Sequence, residues 1–179
     1  DLMALDLVDK GLVTDQLVLT IGYDRDNLSD PGRRGSYKGT VTTDRYGRKV
    51  PKHAHGTTNL ERPTSSTRMI MQAIVGLYER ITDKNLLVRR VTMTANRVVT
   101  EGEATGKERY EQLELFTDYA EQEKKQAEEE AALERERLMQ QAVLDIKRKY
   151  GKNAILKGIN LGADATTKER NTQIGGHKA

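Results

Sequence analysis

A long run of charged and small residues in the second half of the chain limits where a hydrophobic core can form. The first half of segment 118–150 is almost entirely Glu, Gln, Lys and Ala, with helix-stabilising pairs such as Glu121 and Lys125 four residues apart. This pattern predicts a solvated helix whose first half has no apolar face to bury, and only the second half has an apolar stripe, made of Met139, Val143, Ile146 and Tyr150. Only 36% of the 179 residues are hydrophobic and 4% aromatic, so we expect the core within the first hundred residues.

The first hundred residues alternate between helical and strand periodicities. A helix is predicted from residue 1 to Gly11, and a second helix from the Ser/Thr cluster 64–67 to about Asp83. Four further segments have extended character: a strand over 17–23, the two limbs of a basic hairpin over 37–43 and 49–60, and a strand over 87–99. Residues 24–34, which contain Asp-Pro-Gly, are predicted to form a polar loop.

This order predicts an α+β fold, an antiparallel sheet with two helices packed on one face. In strand 17–23 the large residues Leu17, Leu19, Ile21 and Tyr23 share one face, and in strand 87–99 the small polar residues share the opposite one. The polar face is expected to remain open. Thr hydroxyls and backbone amides on such a face approach a phosphate backbone closely, although an ordinary solvated face has the same pattern.

The positive charge is concentrated in the hairpin region. Residues 25–68 contain ten Lys or Arg and four Asp or Glu, a net charge of +6, whereas residues 111–179 have a net charge of −1. A localised basic patch favours nucleic acid as the partner. We expect its contacts to come from the exposed cations Arg45, Arg48, Lys49 and Lys52.

No constellation of residues in the sequence predicts an active site. His53 and His55 alternate along one extended segment, but no acidic residue at a suitable spacing completes a metal site. The glycines at 32, 35 and 39 precede no Gly-Lys-Ser/Thr, which excludes a P-loop. The chain has no cysteine and no apolar run approaching about 20 residues. We therefore expect a cytoplasmic, monomeric, non-catalytic chain with no membrane span, metal or cofactor of its own.

The one phenylalanine of the chain lies in a distinctive pentapeptide, Gln112-Leu113-Glu114-Leu115-Phe116. It precedes the charged helix, where the sequence predicts no core to bury a large aromatic. The pattern resembles the motif by which bacterial polymerases and repair proteins dock on the sliding clamp. In that motif the Gln112 amide would supply hydrogen bonds, and Leu113, Leu115 and Phe116 would supply the apolar contacts. The alternative is an amphipathic turn that caps the preceding domain.

Three further segments and the tail resemble the C-terminal part of a Y-family translesion DNA polymerase, closest to the UmuC/DinB-like UV-damage repair polymerases of Gram-positive bacteria. The segments are Tyr46–Asn59, Thr64–Arg68 and Arg89-Arg90-Val91, and the tail is Arg170–Ala179. The resemblance implies that residues 1–100 are a little finger domain, which binds the backbone of damaged primer–template DNA independently of sequence. It also implies that 112–116 is the clamp-binding motif in a 101–117 linker, followed by helix 118–150 and tail 151–179.

The resemblance also implies which residues meet DNA and what is missing from the fold. The DNA-binding positions are those that match the middle and last strands of the family: Lys52, His53, His55, Thr57, Thr58, Arg89 and Arg90. The chain starts inside a helix, so we expect a fragment that lacks the first strand of the domain and shows a gap or open edge. The catalytic palm with its Mg²⁺-binding carboxylates has no counterpart, so this chain is not expected to transfer nucleotides.

Two other functions are consistent with the same residues. One is a non-polymerase accessory protein that tethers DNA to the sliding clamp, and the other is a scaffold whose long helix pairs with another helix. A sustained heptad pattern is absent from 118–150, which makes pairing the less favoured interpretation.

Overall fold

The computed structural model describes residues 2–105, 119–163, 165–174 and 177–178, and its contacts divide the chain into two units, Asp1–Arg109 and Tyr110–Ala179. The elements of the first unit are α1 (Leu2–Asp9), β1 (Leu12–Tyr23), α2 (Asp26–Ser29), α3 (Pro31–Ser36), β2 (Val41–Thr43), β3 (Lys49–Pro51), β4 (Ala54–Thr64), α4 (Thr67–Ile81), β5 (Val88–Asn96), β6 (Val99–Thr100) and α5 (Glu101–Thr105). The chain is therefore α+β, as predicted.

Strand β1 is the centre of the main sheet. It pairs antiparallel with β4 on one side and with β5 on the other, so the strand order is β4-β1-β5. Strand β6 pairs with the start of β1 in the same register that β5 has along most of β1. Arg97, whose φ of 49° lies in the left-handed region, lies between β5 and β6. Of the expected gap or open edge, the described residues show no gap, because the three strands pair directly. In the described part of the chain, β4 and β5 each present an outer edge.

The large side chains of β1 form the core, as the alternation predicts. Leu17, Leu19 and Ile21 are fully buried, and Tyr23 is nearly so. Helix α1 packs on Leu17 through Ala4 and Leu7, and α4 packs on the same face through Ile70 and Leu77. Gly56 of β4 permits this close approach, because an added Cβ would lie only 2.9 Å from a methyl of Leu77.

Residues 24–34 are not a plain loop, contrary to the prediction. They fold into α2 and the start of α3, and Asp30 caps α3 by accepting a hydrogen bond from the Arg33 amide. The buried Asn27 explains the difference. Its Nδ2 donates to the carbonyls of Asp24 and Leu87, and its Oδ1 accepts from the Leu87 amide at 2.8 Å. One amide side chain thus ties this segment to the start of β5.

The predicted basic hairpin forms, but it is shorter than expected and separate from the main sheet. Strands β2 and β3 pair only with each other among the described residues, with Thr43 opposite Lys49. The second extended segment is interrupted at Lys52 and His53 before β4 begins. The physical cause is a change of partner, since β3 pairs with β2 whereas β4 pairs with β1.

The second unit is built on one long helix, α6 (Tyr119–Tyr150), which ends where Gly151 adopts φ 93°. It is followed by a 3₁₀ turn (Gly158–Leu161), α7 (Thr167–Asn171), β7 (Gln173–Ile174) and β8 (His177–Lys178). The polar tail is therefore not devoid of regular structure. The Lys147 ammonium donates to the carbonyls of Lys152 and Ile155, and Asn153 bonds to both Lys168 and Asn171, which folds the chain back after α6.

Candidate nucleic-acid interface

A cleft of about 430 Å³ lies between the β2–β3 hairpin and the adjoining end of the main sheet. Four arginines line it against one carboxylate, so its walls carry a clear positive excess. We call it the cationic cleft, and its polar lining is Thr42, Thr43, Asp44, Arg45, Tyr46, Arg48, His53, Arg89 and Arg90. Together with Gly22 and Tyr23, which also line the cleft, these residues come from three separate parts of the sequence, and only the fold brings them together.

Asp44 organises the hairpin turn that forms one wall of the cleft. Its Oδ1 accepts hydrogen bonds from the amides of Tyr46, at 2.9 Å, and Arg48, at 3.0 Å. Its Oδ2 accepts from the Arg48 guanidinium at 2.8 Å and 2.7 Å, a two-nitrogen contact. Gly47 completes the turn at φ 77°, a conformation that other residues rarely adopt. The one carboxylate of the cleft is therefore already committed to its own turn.

The ionisation of Asp44 reflects these contacts. The hydrogen bond from the Arg48 side chain, assisted by the amides of Arg48 and Tyr46, lowers the pKa of Asp44 from 3.8 to about 2. The same ion pair raises the pKa of Arg48. A carboxylate whose folded-state pKa is depressed stabilises the fold above its unfolded pKa, and that contribution is lost as the pH falls through the folded value.

We expect an NMR titration to show Asp44 protonating near pH 2, well below an ordinary aspartate. Replacing Arg48 with Met removes the guanidinium but keeps much of the aliphatic stem, so the Asp44 midpoint should rise towards 3.8. An Asp44 midpoint that does not move in the Arg48→Met variant would contradict this account of the turn.

Tyr46 presents an aromatic surface in the cleft. Its side chain is 64% exposed, and the guanidinium carbons of Arg45 and Arg48 lie 4.7 and 4.9 Å from its ring centroid. Both distances are within the range of cation–π attraction. Arg45 also donates to the Tyr46 hydroxyl. The turn thus displays a layered group of one aromatic ring and two planar cations.

The opposite wall of the cleft belongs to the end of the sheet. Arg90 of β5 pairs with Gly22 of β1, and a Cβ added to Gly22 would lie 3.5 Å from the Arg90 Cβ. The Arg89 guanidinium approaches the Asp24 carboxylate only to 4.0 Å, and its side chain is about half exposed. Arg90 makes no ion pair with any described residue and is exposed. These two arginines therefore remain available to an external anion.

The sheet face away from the helices extends from Arg90 as a surface of small polar side chains. We call it the open face, and its paired residues are Gln16, Val18, Thr20, His55, Thr57, Asn59, Arg90, Thr92, Thr94 and Asn96. This set contains no carboxylate.

Hydrogen bonds between neighbouring strands order the open face. The Thr20 hydroxyl lies 3.0 Å from His55 Nδ1. A ladder of amides crosses all three strands, since Asn96 donates to Gln16 and Gln16 donates to Asn59 at 3.0 Å. In this arrangement the side-chain nitrogen of Asn59 is the donor at one end of the ladder.

The structure brings together most of the predicted DNA-binding residues. Arg45, Arg48, His53, Arg89 and Arg90 line the cationic cleft, and His55 and Thr57 lie on the open face beside it. The described residues include no group of three or more His, Cys, Asp or Glu that could hold a metal ion.

Three predicted positions lie away from the cleft, and the clamp motif cannot be placed. Thr58 pairs with the buried Leu17 and so lies on the helix-packed face, because side chains alternate along β4. Lys49 donates to Thr43 across the hairpin, and Lys52 is exposed outside the cleft lining. The predicted clamp-binding residues Gln112, Leu113, Leu115 and Phe116 lie outside the described residues.

Sequence reasoning missed several residues that build this interface. Asp44 and Tyr46 belong to the predicted hairpin turn, but neither was predicted as a site residue. The Asp44–Gly47 spacing is a turn signal that indicates how the arginines are held. Gln16, Asn59 and Asn96 form their ladder only after strand register is known, and no local signal in the sequence pairs them.

Comparison with known proteins gives no relative: no family model matches, and no curated protein or solved structure matches either. Among the described residues, no helix is both long and apolar enough to cross a membrane.

Proposed function

We propose that residues 2–105 bind DNA through its sugar–phosphate backbone, independently of base sequence. The observation that carries this proposal is the convergence of Arg45, Arg48, Arg89 and Arg90 on one cleft, continuous with an open face whose strand-paired residues include no carboxylate. Guanidinium groups bind phosphate oxygens with two parallel hydrogen bonds. Thr hydroxyls and amide donors on the adjoining face suit the phosphates and sugars that follow along the strand.

The distribution of acidic residues supports the same function. The described carboxylates close to the cleft arginines are engaged within the fold: Asp44 with its turn and Arg48, and Asp24 with the Asp26 amide and, at 4.0 Å, with Arg89. Their engagement leaves Arg45 and Arg90 without a described carboxylate partner. An unneutralised cluster of this kind attracts a polyanion and releases its counterions on binding.

We further propose that this DNA-binding unit belongs to the C-terminal part of a translesion repair polymerase that docks on the sliding clamp through Gln112–Phe116. The support is the resemblance of Tyr46–Asn59, Arg89–Arg90 and the pentapeptide to that family. Polymerase chemistry would require a palm domain with its Mg²⁺ ions. DNA binding by residues 2–105 rests on the cleft and the open face and does not require this wider assignment.

The test is the salt dependence of duplex binding by wild type and by the Arg89→Ala/Arg90→Ala variant. We expect the double variant to bind all duplex sequences more weakly. Each lost phosphate contact lowers the slope of log K against log salt by about 0.9, so two lost contacts lower it by about 1.8. Fluorescence anisotropy with two unrelated duplexes of equal length measures both affinity and slope.

Arg80→Ala is the matched control for this experiment. Arg80 is an exposed arginine in the last turn of α4, outside the cleft lining, so this variant loses a similar positive charge elsewhere. It should bind DNA nearly as wild type does. The proposal fails if the double variant binds DNA as tightly as wild type or loses affinity for only one of the two sequences. It also fails if Arg80→Ala weakens binding as much as each arginine lost in the double variant does.

A further inference from the structure

The cationic cleft is a half-open concavity rather than a flat surface. Its volume of about 430 Å³ is within the range of pockets that surround one small molecule, roughly 300–1,000 Å³. A duplex can place the phosphates of one strand on the exposed Arg89 and Arg90, but its stacked and paired bases cannot enter such a space. The open face is the extended surface of this domain, whereas the cleft at its end has the dimensions of a single monomer unit.

The two walls of the cleft offer two different kinds of chemistry. The sheet wall presents Arg89 and Arg90, which suit a phosphate group. The turn wall presents Tyr46 with Arg45 and Arg48 at cation–π distance, a group of flat surfaces. Bases stack on tyrosine rings and on guanidinium planes alike. A ligand with one anionic end and one flat aromatic end uses both walls at once.

A base inside a duplex cannot reach the Tyr46 ring, because its faces are stacked on neighbouring bases and its edge is paired. An unpaired base has both faces available. The 64% exposure of Tyr46 leaves ring surface for such a contact. The fold also holds the ring in place, because the Tyr46 amide is bonded to Asp44 at 2.9 Å and the turn is closed by the Asp44–Arg48 pair.

We propose that the cationic cleft receives one unpaired nucleotide of a DNA single strand, with its phosphate on Arg89 and Arg90 and its base stacked on the Tyr46 layer. The adjoining open face then holds the duplex from which that strand emerges, so the domain recognises a junction between duplex and single strand. This inference rests on the proposed DNA binding and adds the strand type and the role of Tyr46.

The experiment compares Tyr46→Leu and Tyr46→Phe with wild type on three probes of similar length and charge. The probes are an oligo-dT strand, the same strand built from abasic sites, and a hairpin duplex, measured by fluorescence anisotropy at one salt concentration. Tyr46→Leu should weaken oligo-dT binding about tenfold, within the range expected for one base–aromatic stack. Tyr46→Phe, which keeps the ring, should remain within about twofold of wild type. Abasic and duplex probes should not distinguish the variants.

Each other outcome overturns the inference in an identifiable way. An equal loss on oligo-dT and abasic strands would show that Tyr46 acts only by holding its arginines. Displacement of oligo-dT by micromolar dTMP would assign the cleft to free nucleotides. Wild-type binding to duplex without binding to oligo-dT would remove this inference and leave the proposed function standing, whereas failure to bind any probe would remove both.

Discussion

Replacing Leu115 and Phe116 together with alanine is expected to weaken binding to a bacterial sliding clamp by more than a hundredfold. These two side chains supply most of the apolar surface that the pentapeptide can bury in a pocket, and anchors of this kind contribute on the order of 3 kcal/mol or more. Calorimetry of wild type and the double variant against purified clamp measures the effect. The prediction also requires that the Phe116 ring be accessible in the free protein.

Glu114→Ala is the matched control, because it changes the same pentapeptide at a position that the motif leaves variable. Its clamp affinity should remain within a few-fold of wild type. DNA binding by the Leu115/Phe116 variant should be unaffected, since the described cleft is built from residues between Gly22 and Arg90. Equal clamp affinities for wild type and the double variant would remove clamp docking from the proposed function and leave DNA binding untouched.

Replacing Leu19 with alanine is expected to lower the free energy of unfolding by about 3 kcal/mol, within the range for buried leucines in well-packed cores. Leu19 is fully buried at the centre of the sheet, opposite Gly56 on β4 and Met93 on β5. The cavity is difficult to close because backbone pairs flank the site on both sides and Leu77 lies above it. Urea unfolding followed by circular dichroism measures the loss.

Val18→Ala is the control for the core substitution. Val18 is the next residue of the same strand, but it is only half-buried and belongs to the open face. Its loss should be at most about 1 kcal/mol, because little packed volume is removed. Similar losses at the two positions would mean that the face assignments of β1 are wrong.

The alternation of apolar residues along β1 and their helical spacing along α4 were enough to predict the core of the first unit. Leu17, Leu19 and Ile21 alternate without exception, and Ile70 and Leu77 lie on one helical stripe, so burial follows from local spacing. The same rule separates Thr57 from Thr58, because adjacent strand residues point to opposite faces and only Thr57 shares the face of His55. Applied strictly, the alternation predicts that Thr58 faces the helices.

The cleft was not predictable from local patterns, because its walls meet only through long-range contacts. The sequence indicates that Arg45 and Arg90 are basic, but their proximity depends on where the hairpin rests. The helical segment that replaces the predicted loop helps to set that position, with α2 against β3 and Asn27 bonded to Leu87, sixty residues away. A polar residue in a polar segment gives no sign that it will be buried.

The separation of the β2–β3 hairpin from the main sheet has a consequence for how the interface can adapt. One wall of the cleft stands on the packed core, whereas the other is a small independent ribbon that pairs only with itself in the described residues. Insertions or substitutions in the 44–48 turn can therefore alter the shape and charge of the site without disturbing Leu17, Leu19 or Ile21. The packed core and the variable wall of the cleft thus belong to different elements, so the lining of the cleft can diverge while the fold is retained.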